Sequence, residues 1–188
     1  MLSSSLKFSI EPMKSIFVYG SLLNPTSAAQ ALMRPVDSAQ LYDAKLIDYR
    51  LDWTSVHPVF AEQQGRIVDA AFLNVHPSVG AHVLGQLMQV SEEEFTRLSL
   101  REKGYTAKEV TCLNGSGSPE LAWTFVDERP LPTAELVVLT AYIDKIKQGA
   151  AYVGPSFYEE YVASLPHPSL PLIQGPYIFV DETQKKYT

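Results

Sequence analysis

A dense succession of strand-like segments constrains the fold of this chain more than any other feature. These segments are rich in β-branched and aromatic residues, and they either alternate apolar with polar side chains or form short apolar runs. They are Ser15–Tyr19, Ala44–Trp53, Ile67–Val75, His82–Val90, Tyr105–Leu113 and Glu120–Val126. Strands in a run, with a short helix inserted and helices at the end, indicate an α+β fold, and we expect a small mixed β-barrel-like sheet of about six strands with flanking helices.

Helix signals separate and follow these strands. An Asn-Pro start signal predicts a helix over Thr26–Met33, and a capping box at Ser91–Glu94 places three acids near the positive end of a helix dipole. A second capping box at Ser156–Glu159 predicts a helix to about residue 165. A longer helix is expected over Thr133–Gly149. Its apolar side is formed by Leu136, Leu139, Tyr142, Ile143 and Ile146.

The composition is that of a folded domain in a reducing compartment. The chain has 188 residues, of which 46% are hydrophobic and 19% charged, which suits one sizeable core. Its net charge of -6 and its lack of a Lys/Arg run make nucleic acids and anionic membranes poor partners. A single cysteine, Cys112, excludes an internal disulfide. We therefore expect a cytoplasmic protein with an N-terminal extension (1–14), one domain (15–165) and a C-terminal tail (166–188) that lies across the surface or frays.

The first strand breaks at a place where its apolar run has not ended. The stretch IFVYGSLLNP stops at Gly20-Ser21, before the Asn-Pro signal. Glycine lets a backbone approach a ligand closely, and the N–H groups freed after a strand end can hold a carboxylate or a carbonyl oxygen. A simple tight turn is the alternative. Ser21 lacks the second glycine of a nucleophile elbow, which argues against a nucleophilic role.

Glu102 is the candidate for acid–base chemistry. It lies in the link Leu98–Tyr105, whose apolar residues are expected to hold the link against the core and desolvate the carboxylate. The alternative is a surface cluster formed by the neighbouring charges Arg101, Glu102 and Lys103.

Other common catalytic arrangements do not occur in the sequence. The four histidines form no metal-binding spacing, so no metal site and no cofactor is expected. Cys112 lies in a predicted strand without a setting that would lower its pKa, which favours a core thiol. The loop Gly115–Ser118 lacks the lysine of a phosphate-binding loop.

The turn and Glu102 occur together in one known arrangement. VYGSL at the end of the first strand, followed about 80 residues later by a glutamate that precedes a Gly-Tyr strand, resembles the γ-glutamylcyclotransferase-like superfamily. The resemblance covers roughly residues 15–165. Further segments similar to the family's are Asp48–Trp53, His82–Leu87, Ala122–Val126 and Tyr142–Ala150.

This resemblance implies an intramolecular reaction. The substrate's own α-amine attacks its γ-carbonyl, closing 5-oxoproline and releasing an amine or amino acid, as in glutathione metabolism. Glu102 would act as general base and then acid, without metal or cofactor. Tyr19, Gly20, Ser21 and Leu22 would hold the γ-glutamyl part by the backbone of the turn. Tyr105 would line the pocket, and Tyr142 would donate a hydrogen bond to the substrate.

The leaving group and the activity itself stay open at this point. The stretch Leu98–Lys103 departs from the family's common L-D-x-x-E-G motif, with its glycine displaced to Gly104. Arg-Glu followed by Gly-Tyr resembles the glutathione-specific branch, yet Leu23-Asn24 stands where that branch usually has a bulky residue. The alternatives are a cyclotransferase acting on γ-glutamylamines in biosynthesis, or a non-catalytic small-molecule binding protein. The oligomeric state is not predicted.

Overall fold

Two long antiparallel strands organise the sheet. The computed structural model describes residues 13–36 and 40–186, and in it β2 (Leu41–Ala61) pairs with β3 (Arg66–Val90) along almost their whole length. β3 replaces the two separate strands expected on either side of residues 76–81. That stretch is largely exposed and contains Pro77 and Gly80, so its sequence reads as a break. A bulge at Asp48 of β2, where φ is 62°, keeps the strands paired, and its carboxylate accepts a hydrogen bond from the Gly80 N–H at 2.8 Å.

Three further strands close the sheet into a barrel. β1 (Lys14–Val18) pairs antiparallel with β3 and parallel with β5 (Pro119–Val126), and β5 pairs with β4 (Thr106–Asn114). β4 then pairs with β2, which returns to β3 and completes a mixed barrel. The expected α+β fold with a mixed barrel-like sheet is confirmed.

The side chains of β1 point alternately to the two faces of the sheet, and this divides its apolar residues between two cores. Phe17 faces the barrel interior, whereas Ile16 and Val18 face the opposite side, where helices cover the sheet. Successive side chains of a strand point to opposite faces, so a strand that is buried on both sides must be apolar throughout. This requirement explains the continuous run IFV before the turn.

The helices confirm some of the predicted signals and correct others. They are α1 (Pro25–Leu32), α2 (Glu92–Arg101), α3 (Thr140–Val153), α4 (Pro155–Ser164) and α5 (Glu182–Lys186). Asn24 caps α1, and both hydrogen bonds of the Ser91–Glu94 capping box are present. The second capping box is wrong, because Gly154 precedes Pro155 as the N-cap of α4 and no side chain caps this helix. The long helix expected from Thr133 is wrong in its first half, because β6 (Leu136–Leu139) pairs parallel with β3 before α3 begins.

The segment after α4 contributes to the sheet. β7 (Leu172–Ile173) pairs with β6, and β8 (Tyr177–Phe179) pairs with β2. This pairing was not anticipated, while the division into a domain and a tail at residue 165 stays a prediction. Of the predicted extension 1–14, only residues 13 and 14 are among those described, and Lys14 begins β1. Within residues 13–36 and 40–186, no helix is long and apolar enough to cross a membrane.

Candidate active site

A pocket at the end of β1 brings together every site residue predicted from the sequence. Including its open mouth, it holds about 760 Å³ of space not occupied by protein atoms. The predicted residues in its wall are Tyr19, Gly20, Ser21, Leu22, Glu102, Tyr105 and Tyr142. These residues come from the segment that follows β1, the end of α2, the residue before β4 and the first turn of α3. Residues far apart in sequence therefore share one cavity.

The break after β1 is a single turn of 3-10 helix. Hydrogen bonds run from the Leu23 N–H to the Gly20 carbonyl at 3.0 Å and from the Asn24 N–H to the Ser21 carbonyl at 3.1 Å. The N–H groups of Ser21 and Leu22 precede the first of these bonds, as the leading N–H groups of a helix do. A turn of this kind presents main-chain donors at the end of a strand.

Close packing fixes the position of this turn. A Cβ atom at Gly20 would lie 3.1 Å from the Tyr142 hydroxyl oxygen, so the backbone there and that hydroxyl approach each other directly. On the same helix, a Cβ at Gly149 would come within 2.6 Å of the Asn24 backbone nitrogen. α3 thus packs against the turn at two points, and glycine is what permits both contacts.

Glu102 is the residue that ends α2. Its N–H donates to the Leu98 carbonyl at 2.8 Å, and its own carbonyl accepts from the Tyr105 N–H at 3.0 Å. The side chain is 19% exposed, and Arg101, which is only 7% exposed, donates a hydrogen bond to its carboxylate. Lys103, by contrast, is 56% exposed. The alternative of a surface charge cluster therefore fits Lys103 and does not fit the other two residues.

The tyrosines of the pocket are neutral and largely fixed. The Tyr19 hydroxyl donates to the Phe125 carbonyl at 2.7 Å, and the Tyr105 hydroxyl donates to the Leu73 carbonyl at 2.9 Å. Burial raises the pKa of Tyr19, Tyr105 and Tyr142 well above the ordinary range. The hydroxyl of Tyr142 faces the turn, and we expect it to be the tyrosine donor available to a ligand.

Ser21 has a cation as its neighbour. The Arg101 guanidinium donates to the Ser21 Oγ at 3.5 Å, a long and weak hydrogen bond. This partner cannot accept a proton from the hydroxyl. The position therefore agrees with the sequence argument against a nucleophilic serine.

Two basic residues in the wall were not identified as site residues. Arg101 enters the sequence analysis only as part of the alternative surface cluster with Glu102 and Lys103. Lys145 lies on α3 three residues after Tyr142, a spacing that puts both on one helix face, and this spacing is the signal that was available. Burial, and secondarily the Arg101 charge, lower the pKa of Lys145.

His57 also lines the pocket, as part of a buried network. The Ser55 hydroxyl donates to the Asp127 carboxylate at 2.7 Å, so its oxygen is left to accept from the His57 Nε2–H at 3.1 Å. The Gln184 amide lies 3.3 Å from His57 Nδ1 and can donate to it. This assignment makes the imidazole neutral, and burial lowers its pKa to about 4.

The C-terminal segment supplies the last part of the wall. Tyr177 and Phe179 of β8 and Gln184 of α5 face the pocket. Among residues 13–36 and 40–186, no group of three or more His, Cys, Asp or Glu side chains is arranged to hold a metal ion. Cys112 is fully buried, and burial raises its pKa to about 12.

Comparisons with known proteins agree with this architecture. A solved γ-glutamyl cyclotransferase is 18% identical, with a TM-score of 0.57, and the match covers 83% of this chain and 90% of that one. The uncharacterized human protein loc79017 is 20% identical, with a TM-score of 0.56, covering 84% of this chain and 90% of that one. YkqA from Bacillus subtilis is 19% identical, with a TM-score of 0.54, covering 86% of this chain and 56% of that one. At such low sequence identities, these structural matches show that the fold is shared. No curated protein matches the chain.

The family assignment rests on the sequence of the barrel. The family model described as "Gamma-glutamyl cyclotransferase, AIG2-like" matches residues 16–142, which include the turn, Glu102 and Tyr142. This match spans more than half of the chain. The protein therefore belongs to the AIG2-like γ-glutamyl cyclotransferase family.

Proposed function

We propose that this protein is a γ-glutamylcyclotransferase-type enzyme that releases 5-oxoproline and a free amine or amino acid from a γ-glutamyl amide. The proposal rests on one observation: Glu102, the Gly20–Leu22 turn and Tyr142 line the same pocket. A carboxylate, main-chain N–H donors and a neutral hydroxyl are the groups that this reaction needs.

Glu102 moves the protons in the proposed mechanism. Its carboxylate takes a proton from the substrate's α-ammonium, and the freed amine attacks the γ-carbonyl carbon to form the new C–N bond. As the tetrahedral intermediate collapses, Glu102 gives its proton to the leaving nitrogen and the old C–N bond breaks. The carboxylate then takes the second proton from the ring nitrogen, which leaves the neutral lactam, and passes that proton to the released amine. The hydrogen bond from Arg101 orients the carboxylate for these transfers.

The turn stabilises the charge that develops on the γ-carbonyl oxygen. The N–H groups of Ser21 and Leu22, together with the Tyr142 hydroxyl, are the proposed donors, because they stand at the same side of the pocket. Amine and carbonyl belong to one molecule, so much of the entropic cost of bringing them together is met before binding. No protein nucleophile is needed for this chemistry.

Replacing Glu102 by Gln tests the assignment. Glutamine keeps the size of the side chain but cannot accept the ammonium proton, so 5-oxoproline release should fall by about 10²–10⁴-fold or more. Mass spectrometry of 5-oxoproline, with a panel of γ-glutamyl amino acids and γ-glutamylamines, measures the rate. Glu109→Gln, on the exposed side of β4, is the matched control and should keep the wild-type rate. Thermal melting shows whether both variants fold.

The competing function is ligand binding without turnover. The ion pair between Arg101 and Glu102 favours this alternative, because it engages the proposed base before substrate arrives. A wild-type protein that binds γ-glutamyl compounds in calorimetry but releases no 5-oxoproline would establish the binding protein. A Glu102→Gln protein with full activity would remove Glu102 as the base.

A further inference from the structure

Lys145 is one of the basic residues that line the pocket. The residue is partly buried in the pocket wall, next to Arg101. Within residues 13–36 and 40–186, its side chain forms no hydrogen bond or ion pair with the protein. Other lysines of the chain, such as Lys45 and Lys108, pair with carboxylates at the surface. A desolvated cation without a protein carboxylate beside it is costly to maintain, which calls for an anionic ligand.

The described lining residues of the pocket carry an excess of one positive charge. Among them, Arg101 and Lys145 are cations and Glu102 is the single carboxylate. His57 is neutral at pH 7 because its pKa is about 4, and the raised tyrosine pKa values keep the lining phenols neutral as well. This excess lies inside a protein whose net charge is -6. The pocket is therefore suited to an anion although the whole chain is acidic.

We propose that Lys145 and Arg101 form a carboxylate-binding subsite for the γ-glutamyl substrate. Arg101 is already held by Glu102 and lies near the Ser21 hydroxyl, so it faces the turn at which the substrate is expected. Lys145 supplies the second charge from α3, close enough to Arg101 for the two charges to interact. Two cations from different elements form a clamp in which a carboxylate can receive a hydrogen bond from each. The identification of the ligand as a γ-glutamyl compound rests on the proposed function.

Two carboxylates of such a substrate have the same chemistry. The α-carboxylate belongs to every γ-glutamyl compound and remains in 5-oxoproline. A second carboxylate occurs only when the leaving group is an amino acid or peptide. If the subsite binds the leaving group, it selects γ-glutamyl amino acids over γ-glutamylamines. If it binds the α-carboxylate, it recognises the glutamyl part and leaves the choice of leaving group to other residues.

Calorimetry with three probes distinguishes these sources. The probes are 5-oxoproline, γ-glutamylmethylamide and γ-glutamylglycine, and the two cleavable compounds are measured with Glu102→Gln added to each protein so that they persist. Lys145→Gln should weaken binding of γ-glutamylglycine by roughly 10- to 100-fold, the range for a hydrogen bond to a charged group. Lys145→Arg should restore most of this loss. Lys147→Gln, on the same helix but outside the pocket wall, is the control and should bind as its parent does.

Each outcome has a definite reading. Equal weakening for all three probes assigns the subsite to the α-carboxylate, and weakening for γ-glutamylglycine alone assigns it to the leaving group. Binding by Lys145→Gln within about 3-fold of its parent for every probe, or no detectable binding of any probe by the parent, overturns the subsite. Failure of the proposed function is separate: a protein that releases no 5-oxoproline but loses affinity on Lys145→Gln has the subsite without the reaction.

Discussion

At the scale of single residues, Gly20 is defined by the space around it. Its φ of -122° lies outside the left-handed region, so the backbone conformation does not require glycine. The requirement comes from the Tyr142 hydroxyl, which stands 3.1 Å from the position of a Cβ. Larger side chains at this position would occupy the place where the turn and the hydroxyl are proposed to contact the substrate.

Gly20 and Ser21 are therefore expected to respond differently to substitution. Gly20→Val should reduce affinity for 5-oxoproline by at least about 10-fold, because its side chain fills the ligand's place. Ser21→Ala should change the affinity by less than about 3-fold, because its hydroxyl makes one long hydrogen bond at 3.5 Å. Calorimetry measures both, with melting curves to check folding. Equal losses in the two variants would instead assign the Ser21 hydroxyl a direct part in binding or chemistry.

At the scale of secondary structure, the segment carrying β8 and α5 encloses the pocket. The family match ends at residue 142, whereas Tyr177, Phe179 and Gln184 lie beyond it and still line the cavity. Asp181 connects them to the link between α2 and β4, because its carboxylate pairs with Lys103, the residue after Glu102. The same carboxylate accepts hydrogen bonds from the first turn of α5. The wall is thus attached beside the proposed base.

Asp181→Ala should loosen this wall. The substitution removes both the ion pair and the helix cap, so amide hydrogen exchange over residues 177–186 should become several-fold faster. Affinity for 5-oxoproline should fall in the same variant. Glu182→Ala is the matched control, because among the described residues Glu182 forms an ion pair only with Lys185 of the same helix and does not line the pocket. Exchange as slow in Asp181→Ala as in the control would show that other contacts hold the segment.

The same elements show what the sequence can and cannot reveal. The strands of the barrel and the capping box of α2 were predictable because each carries a local period or motif. β7 and β8 have two and three residues, too few for a period, and they form because β6 and β2 offer partners. Leu136–Leu139 fits a helical period together with Tyr142, yet its β-branched run pairs with β3. Here pairing with the sheet determines the secondary structure, although the local pattern favours a helix.

The site follows the same division. Gly20 and Glu102 could be predicted as site residues because they lie in recognisable stretches of sequence. Lys145 acquires its place only when α3 packs against the turn through Gly149, a contact between distant parts of the chain. Gln184 enters the pocket only because β8 pairs with β2. Side chains that tertiary packing brings to a site leave at most a weak local signal, such as the three-residue spacing between Tyr142 and Lys145.

At the scale of the whole molecule, stability should depend on a buried imidazole. The network around His57 joins β2 to Asp127 at the end of β5 and to Gln184 of α5, so it links the barrel with the C-terminal segment. Burial and the charge of Arg129 lower the His57 pKa to about 4, against the carboxylates of Asp127 and Asp181, which act to raise it. The ordinary value of 6.5 applies to the unfolded chain.

This difference fixes the sign of the pH dependence. Between pH 6.5 and 4 the unfolded chain binds a proton at residue 57 that the folded protein does not, so the free energy of unfolding decreases as the pH falls through this window. From pH 7 to pH 5 the expected loss is about 2 kcal/mol. Asp127 affects stability in a lower pH range. Burial raises its pKa, but the hydrogen bonds from Arg129 and Ser55 lower it by more, so the net pKa is below the ordinary aspartate value. The stability that Asp127 contributes is therefore lost only as the pH falls below that ordinary value.

Denaturant unfolding of the wild type and of His57→Gln at pH 7 and pH 5 measures this contribution. Glutamine can hydrogen-bond to Ser55 and Gln184 but does not titrate, so the variant is expected to be less stable at both pH values because it loses the ring packing against Tyr105. Its loss of stability between the two pH values should be smaller than that of the wild type by about 2 kcal/mol. His76→Gln, which keeps the buried imidazole, should retain the wild-type dependence. Parallel pH profiles for the wild type and His57→Gln would mean that the folded protein accepts a proton at His57 as readily as the unfolded chain does, and that the neutral network described above is wrong.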